Sequence, residues 1–262
     1  MPELPDLQVF SKNLKKRIAD KKIVAAEVFN KAKVNISADA VGAKLLDTKI
    51  VDIVREGKEL YFQLENENVF SVHLMLKGQF KICSVNEISH IGYKILSISF
   101  EDEQAIVISD FQGLCKVTFN PVKINVPDAL GEAFDFEYLQ NQVNNNRRKN
   151  IKAFLIDQNI IKGIGNAYAD EILWKADISP ESTVGKIPEA SLKELFDAIS
   201  YVLKEAIVNI ENIVPEIISG EERSFLKVHN PQKKYTDEGD KILIKKIASK
   251  TTYYTEKQKL FQ

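Results

Sequence analysis

The stretch Asn159-Ile-Ile-Lys-Gly-Ile-Gly-Asn166 lies between two helical patterns and decides how the second half of the chain folds. Gly163 and Gly165 permit a tight turn whose backbone comes close to a ligand. Asn166 stands where the next helix begins, so its side chain and the amides after it face an anion. Turns of this composition also join helices in proteins that bind nothing there. With helical patterns on both sides, the stretch predicts a phosphate-binding turn.

Helical periodicity continues through most of the second half. Four segments carry the 3.6-residue pattern, at residues 135–142, 150–158, 167–174 and 188–210. The final segment, 226–262, returns to alternating apolar residues around the turn Asp237-Glu238-Gly239. This alternation predicts a small β-hairpin that closes the helical domain.

Strand periodicity dominates the first half. Short segments rich in Ile, Val, Phe and Tyr predict a β-sandwich or barrel, at residues 22–30, 48–55, 59–65, 68–74, 79–84, 94–101, 104–109 and 116–120. A helical pattern at 5–20 precedes them, and 121–132 is the predicted linker. The predicted fold is α+β with two domains: an N-terminal β-sandwich with a flanking helix, and a C-terminal helical domain with a β-hairpin.

The composition is that of a soluble globular protein, with 262 residues, 44% hydrophobic, 28% charged and a net charge of −1. No apolar run is long enough to cross a bilayer and no signal segment precedes the first helix, so we expect a cytosolic protein without a membrane partner. Only Cys83 and Cys115 are present, which excludes a four-cysteine zinc site.

A nucleic-acid partner would have to be bound by local basic patches, because the net charge is close to zero. One patch comprises Arg147, Arg148, Lys149 and Lys152, and the segment from Arg223 onward carries ten Lys/Arg against four Asp/Glu. Such runs are also typical of solvated faces.

The chain begins Met1-Pro2-Glu3-Leu4-Pro5. Removal of Met1 would expose the secondary amine of Pro2, and a terminal amine has a reference pKa of about 7.7–8.0. Such an amine can attack a sugar carbon and form a covalent iminium, and the Glu3 carboxyl beside it can transfer protons. The alternative is that Pro2 only fixes the backbone and that Glu3 is a solvated charge.

The Met-Pro-Glu-Leu-Pro start, the helix–two-turn–helix segment at 150–180 and the closing hairpin together resemble the formamidopyrimidine-DNA glycosylase/endonuclease VIII family. The resemblance covers essentially the whole chain. It implies a catalytic β-sandwich at 1–125, a helix–two-turn–helix DNA-binding domain at 126–225 and a finger at 226–262. It also implies a monomeric, cytoplasmic enzyme, nucleoid-associated in a bacterium, that needs no cofactor and acts on damaged double-stranded DNA.

By this resemblance, the chain is a bifunctional DNA glycosylase and abasic-site lyase. The Pro2 amine would attack the anomeric carbon of an extruded nucleotide and expel the damaged base. Glu3 would protonate the sugar ring oxygen and assist ring opening. Elimination of the 3′ phosphate, and then of the 5′ phosphate, would nick the strand.

The resemblance assigns roles to further residues. Asp6 and Glu171 would be carboxylates near the terminal amine, and capping of the first helix is the alternative role of Asp6. Lys58 would contact the phosphate beside the lesion, and Asn166 and Arg148 would contact other phosphates. Lys149 and Lys152 belong to the same basic patch as Arg148, and His90 would be a further DNA contact.

Two segments would fill the duplex after the base is extruded. Leu76 falls where the family has an inserting Met, and the adjacent Met75 is an alternative; a buried strand position is the other interpretation of both. The family segment Asp-Pro-Arg-Arg-Phe-Gly appears here as Asp110-Phe-Gln-Gly-Leu-Cys115, with Leu114 in the place of Phe. Both arginines are missing, which puts recognition of the opposite base in doubt.

The finger also departs from the family pattern, in which four cysteines bind zinc. Those positions are Tyr235, Glu238, Thr255 and Gln258 here, so no zinc is expected. Packing of Tyr235, Tyr253 and Tyr254 would replace the metal. Lys250 takes the place of the finger's arginine and keeps its positive charge but not its bidentate geometry.

Two other interpretations remain open from the sequence. One is a non-catalytic relative that binds damaged or kinked DNA, which the altered loop and finger favour. The other is a protein of this architecture that binds RNA or another protein.

Overall fold

The computed structural model describes residues 1–262 and contains two compact units. The first unit comprises residues 1–124 and 210–221, and the second comprises 125–209 and 222–262. The predicted linker at 121–132 contains the boundary after residue 124. The hairpin region at 226–262 belongs to the second unit.

The first unit contains two antiparallel four-stranded sheets, as the strand pattern predicts. One sheet has the order β1-β6-β7-β5 and the other β2-β3-β4-β8. The strands are β1 (Ile23–Val28), β2 (Ile50–Glu56), β3 (Glu59–Leu64), β4 (Val69–His73), β5 (Gln79–Ser84), β6 (Lys94–Phe100), β7 (Gln104–Ser109) and β8 (Lys116–Phe119). Apolar side chains of both sheets share one core, in which Phe62 stacks on Phe70 with centroids 4.6 Å apart.

Helix α1 (Leu4–Ile18) packs on this core through the apolar residues that predicted it: Leu7, Phe10, Leu14 and Ile18 are all buried. A second helix, α2 (Ala38–Leu45), was not predicted. It is capped by Ser37 and buries only Val41 and Leu45, so its pattern is too short to show a helical period.

Two connections cross between the sheets at the same end of the unit. Residues 74–78 join β4 to β5, and residues 110–115 join β7 to β8. They run side by side because Gln79 pairs with Ser109 in one sheet and His73 pairs with Lys116 in the other. Gly78 closes the first connection, since a Cβ there would lie 2.4 Å from the Leu74 carbonyl oxygen.

The second unit is mainly helical. None of the helices in the chain combines the length and the apolar character that crossing a bilayer requires. Its helices are α3 (Phe136–Asn145), α4 (Ile151–Leu155), α5 (Asn166–Lys175) and α6 (Glu189–Ile213). Helix α4 ends earlier than predicted because Asp157 and Gln158 use their side chains to build the following turn. Helix α6 is longer than predicted, and its last turn belongs to the first unit.

The hairpin consists of β9 (Leu243–Ile247) and β10 (Lys250–Tyr254). Its turn is Ala248-Ser249, with φ values of 50° and 62°, and not Asp237-Glu238-Gly239 as predicted. Asp237-Glu238-Gly239 forms a separate tight turn, in which the Thr236 amide donates to the Asp240 carbonyl at 2.8 Å. The prediction that Asp237-Glu238-Gly239 is the turn of the hairpin is therefore wrong.

Candidate active site and nucleic-acid interface

The start of the chain is fixed by a reciprocal cap on α1. The Asp6 backbone N–H donates to the Glu3 side chain, and the Glu3 backbone N–H donates to Asp6 Oδ2 at 2.8 Å. Pro2 is buried, and Glu3 and Asp6 are 4% and 0% exposed. Asp6 therefore has the capping role that the sequence left open. The cap fixes the backbone at Glu3, the residue that follows Pro2.

A third carboxylate, Glu221, reaches the terminus from far along the chain: it forms an ion pair with the Met1 amine. The segment after α6 brings it there, because Asn13 Nδ2 donates to the carbonyls of Pro215 and Ile217 at 2.9 and 2.8 Å. Ser219 adds a hydrogen bond to the Phe80 carbonyl at 2.7 Å. Glu221 could not be predicted from the sequence, since no local pattern indicates a contact over this separation.

Lys58 lies in the turn between β2 and β3, where Gly57 has a φ of 60°. The charge of Lys58 acts on His73 at the end of β4. Burial lowers the pKa of the His73 imidazole, and the positive charges of Lys58 and Lys116 lower it further. The negative charge of Glu59 acts in the opposite direction. His73 Nδ1 accepts from the Met75 amide at 3.0 Å, so the neutral ring carries its proton on Nε2. His73 was not singled out from the sequence.

The two crossing connections place apolar side chains at the surface. Leu76 is 48% exposed and lies in a turn, as does Met75 with a φ of 55°, so neither occupies a buried strand position. Leu114 is 38% exposed in the second connection. His90 lies exposed at the end of a 3₁₀ helix, Val85–His90. Contact of these residues with DNA stays a prediction.

The predicted turn before α5 is built largely by one side chain. Gln158 Oε1 accepts from the Gly163 amide at 2.9 Å, and its Nε2 donates to the Ile164 carbonyl at 2.8 Å. Gly163 has a φ of 105°, which only glycine adopts readily. The helix starts one residue earlier than predicted, with Gly165 as N-cap and Asn166 as its first residue. Backbone N–H groups at the start of a helix point along its axis, so this end of α5 has the polarity that favours an anion.

Asn166 joins this turn to the hairpin. Its Nδ2 donates to the Thr251 carbonyl at 2.9 Å, while its Oδ1 is buried without a hydrogen-bond partner. Lys250, next to Thr251, is exposed. The turn and the cation of the hairpin are thus adjacent within one unit.

The basic patch is only partly at the surface. Arg147 and Arg148 are exposed, and Lys149 forms an ion pair with Asp157 at 2.5 Å. Lys152, predicted to be a DNA contact, is fully buried: its Nζ lies 2.6 Å from Asp170 Oδ1 and 2.6 Å from Thr252 Oγ1. The prediction for Lys152 is therefore wrong, because this residue lies on the inner face of α4.

Asp170 connects this lysine to the rest of the hairpin. Its Oδ2 lies 2.7 Å from His229 Nδ1 and accepts from the Tyr253 amide at 3.0 Å. The His229 and Tyr253 rings meet edge to face, with centroids 4.7 Å apart. One buried carboxylate thus ties α4, α5 and β10 together.

Glu171, next to Asp170 on α5, fixes the segment before the hairpin. Its carboxylate accepts backbone N–H groups of Lys227, Val228 and His229 at 2.9, 2.8 and 2.7 Å. Burial raises the pKa of this carboxyl, while the three N–H donors act in the opposite direction. Its role toward the terminal amine stays a prediction.

Side chains at the four finger positions are arranged without thiolates. Thr255 and Gln258 are buried: the Thr255 amide donates to Gln258 Oε1 at 2.8 Å, and Gln258 Nε2 donates to the Ile178 carbonyl at 2.8 Å. Lys257 and Asp240 join the two ends of the finger by an ion pair of 2.6 Å. The chain contains no group of three or more metal-binding side chains.

Tyrosine packing in the finger is only partly as expected. Tyr253 is buried in a cluster with Val228, Ile242 and Trp174. Tyr235, in contrast, is 59% exposed, so the prediction that it packs inside the finger is wrong. Tyr254 is half-buried.

Comparison with known proteins identifies both parts of the chain. Residues 1–117 match the family model of the formamidopyrimidine-DNA glycosylase N-terminal domain, and residues 126–215 match the formamidopyrimidine-DNA glycosylase H2TH domain. Formamidopyrimidine-DNA glycosylase of Carboxydothermus hydrogenoformans is 30% identical over 97% of this chain and 98% of its own. The Lactococcus lactis enzyme of the same name is 31% identical over 79% of this chain and 78% of its own.

Solved structures show the same fold. The Lactococcus lactis protein, in complex with DNA containing an abasic site, aligns with a TM-score of 0.85 at 23% identity over 97% of this chain and 98% of that one. A structure of MutM with carbocyclic 8-oxo-G containing DNA aligns with a TM-score of 0.85 at 24% identity over the same shares.

Proposed function

Because the chain belongs to the formamidopyrimidine-DNA glycosylase family and is a DNA glycosylase of base-excision repair, we propose that it both removes the base and cleaves the strand through the amine of Pro2. The observation that carries this proposal is the fixed start of the chain. Pro2 is buried, Glu3 and Asp6 cap each other, and Glu221 forms an ion pair with the Met1 amine. A positioned amine with carboxylates around it is suited to covalent catalysis.

The first step is displacement of the damaged base. Once Met1 is removed, the lone pair of the Pro2 nitrogen attacks C1′ of the extruded nucleotide, and the base leaves with the electrons of its glycosidic bond. Glu3 protonates the ring oxygen as the C1′–O4′ bond breaks, which opens the sugar and gives an iminium between C1′ and Pro2. The departing base takes up a proton, so charge and atoms balance.

The second step is strand cleavage. The iminium acidifies the protons on C2′, and loss of one of them expels the 3′ phosphate by β-elimination. A further elimination releases the 5′ phosphate, and hydrolysis of the iminium returns the amine. Glu221, paired with the terminal amine when Met1 is present, is the carboxylate placed to take a proton from the Pro2 amine before attack. None of these steps requires a cofactor.

Damaged double-stranded DNA is held by separate cations and amides instead of by one basic face, since the net charge is −1. Lys58 serves in the first unit, and the N-terminal end of α5 serves in the second, with Arg148, Lys149 and Lys250. These groups bind phosphates and therefore position the duplex without reading its sequence. We expect a monomer in the cytoplasm, at the nucleoid in a bacterium.

Borohydride trapping on abasic DNA tests the proposal. The chain without Met1 forms a covalent adduct after reduction, and Pro2→Gly slows its formation sharply because a primary amine differs in basicity and placement. Intact mass before the assay establishes that Met1 is absent. Undiminished trapping by the Pro2→Gly variant would remove Pro2 from the mechanism. DNA binding without any trapping would identify a non-catalytic relative.

A further inference from the structure

A cavity of about 480 Å³ lies in the second unit, lined by α5, α6 and the segment 224–237. Val202, Ala206 and Leu226 give it an apolar wall of buried side chains. Pockets that bind small molecules have volumes of about 300–1,000 Å³ and combine such walls with a few polar groups. Of the residues assigned above to catalysis or DNA binding, only Glu171 lines this cavity.

Aromatic side chains form a second part of the lining. Trp174 on α5 is half-buried and also packs against the buried cluster around Tyr253. Tyr201 on α6 is 52% exposed, and Phe225 is half-buried. Planar groups bind to such rings by offset stacking or by edge-to-face contacts. The cavity therefore suits a planar aromatic ligand.

Lys227 and Lys233 place positive charge at the cavity. Both ammonium groups contact Asp237, with Nζ–O distances of 3.1 and 3.2 Å. The hydrogen bond to Asp237 raises the pKa of Lys227, so this residue is charged at neutral pH. Two ammonium groups on one carboxylate leave one positive charge for a ligand, and lysine binds phosphate as a point charge.

The other two carboxylates of the lining have partners or counter-charges of their own. Glu171 accepts three backbone N–H groups, so its oxygens are occupied. Glu205 is exposed on α6 and is matched by the exposed Lys175, whose ammonium lies 4.8 Å from the centroid of the Tyr201 ring. The lining thus combines aromatic surfaces with a pair of lysines that can bind an anion.

We propose that this cavity binds a nucleobase that carries a phosphate, with the base against Trp174 and Tyr201 and the phosphate at Lys227 and Lys233. The base is planar and the phosphate is an anion, which are the two features that the lining selects. Every nucleobase offers a π face, so the cavity takes purines and pyrimidines alike. Free mononucleotides and the nucleotides of a single strand share this chemistry.

Trp174 is the only tryptophan of the chain, so its fluorescence reports on the cavity. We expect AMP to quench this fluorescence saturably in the full chain. Tyr201→Ala weakens AMP binding by about 5- to 150-fold, the equivalent of the ~1–3 kcal/mol that one base–aromatic stack is worth. Tyr235→Ala is the matched control, because Tyr235 is 59% exposed in the same unit and does not line the cavity. An unchanged affinity for AMP in Tyr201→Ala overturns the proposal.

Adenosine, which lacks the phosphate, tests the contact with the lysines. The wild-type chain binds adenosine more weakly than AMP. Lys233→Gln reduces this difference, while its affinity for adenosine stays at the wild-type value. Lys234→Gln changes a neighbouring exposed lysine outside the lining and keeps the difference. Equal losses of affinity for AMP and adenosine in Lys233→Gln contradict the phosphate contact.

A single-stranded tetranucleotide distinguishes the two sources of the ligand. Quenching by AMP assigns the cavity to a free nucleotide. Quenching by the tetranucleotide alone, lost in Tyr201→Ala, assigns it to a nucleotide within a strand. Absence of quenching by both ligands overturns the proposal. Strand cleavage does not enter these measurements, so failure of the Pro2 mechanism would leave their result unchanged.

Discussion

Lys152 Nζ lies 2.6 Å from Asp170 Oδ1, with both side chains completely buried. The pair joins α4 to α5 and continues through Thr252 and His229 into the hairpin region. A buried ion pair is kept only when hydrogen bonds satisfy its remaining atoms, and here Thr252 Oγ1, His229 Nδ1 and the Tyr253 amide do so. The hairpin is thus attached to the helices by side-chain bonds.

Removal of one partner of this pair leaves the other charge buried without a counter-charge. We expect Lys152→Met to lower the free energy of unfolding by about 3–5 kcal/mol. Lys149→Met is the matched control: its pair with Asp157 is partly solvated and contributes at most about 1 kcal/mol. Urea denaturation of both variants makes the comparison. Equal stability of the two variants would show that the buried pair does not hold the unit.

We predict that the finger folds without a metal. We expect elemental analysis to find no stoichiometric zinc, and a chelator to leave the thermal unfolding midpoint unchanged. The reason is that Thr255 and Gln258, at two of the four ligand positions of the family, are joined by a hydrogen bond, and the Lys257–Asp240 ion pair adds a further link. One zinc per chain, removed by chelation with loss of folding, contradicts this prediction.

His73 gives the first unit a defined response to acid. Burial lowers the pKa of this imidazole in the folded protein below the ~6.5 of an unfolded chain. On acidification the unfolded state therefore binds the proton at a higher pH than the folded state does. The contribution of His73 to the free energy of unfolding is complete above about pH 6.5 and is lost as the pH falls through the folded pKa.

His73→Asn retains an acceptor for the Met75 amide and removes the titration. Free energies of unfolding at pH 7.5 and pH 5.5 should differ less in this variant than in the wild-type chain. The same pH dependence in both proteins would place the acid sensitivity elsewhere.

Because the loop at 110–115 contains no arginine, we expect activity to depend little on which base lies opposite the lesion. We expect abasic sites and lesions that already weaken pairing, such as oxidised pyrimidines and ring-opened purines, to be processed ahead of 8-oxoguanine paired with cytosine, because their extrusion costs less. Single-turnover cleavage of these substrates, with the opposite base varied, measures the order. Fast, cytosine-selective removal of 8-oxoguanine would refute it.

Local patterns predicted much of this fold, and long-range contacts explain what they missed. The strands and the turn at Gly163 follow from periodicity and from a glycine that must adopt a positive φ. The burial of Lys152 could not be predicted, because a five-residue helix is too short for its periodicity to show which face is buried. Ala248-Ser249 carries no glycine or asparagine to mark a turn, and Glu221 pairs with Met1 over a sequence separation of 220 residues.

The carboxylate at the terminal amine has a consequence for the order of synthesis. The ribosome makes Pro2 first and Glu221 only after about 220 further residues, which takes about 10–45 s at about 5–20 residues per second. During that interval the amine has no Glu221 beside it, and the Met1–Glu221 ion pair cannot shield Met1 from an aminopeptidase. Processing of the terminus can therefore finish while the chain is still growing, and the carboxylate arrives at an amine that is already mature.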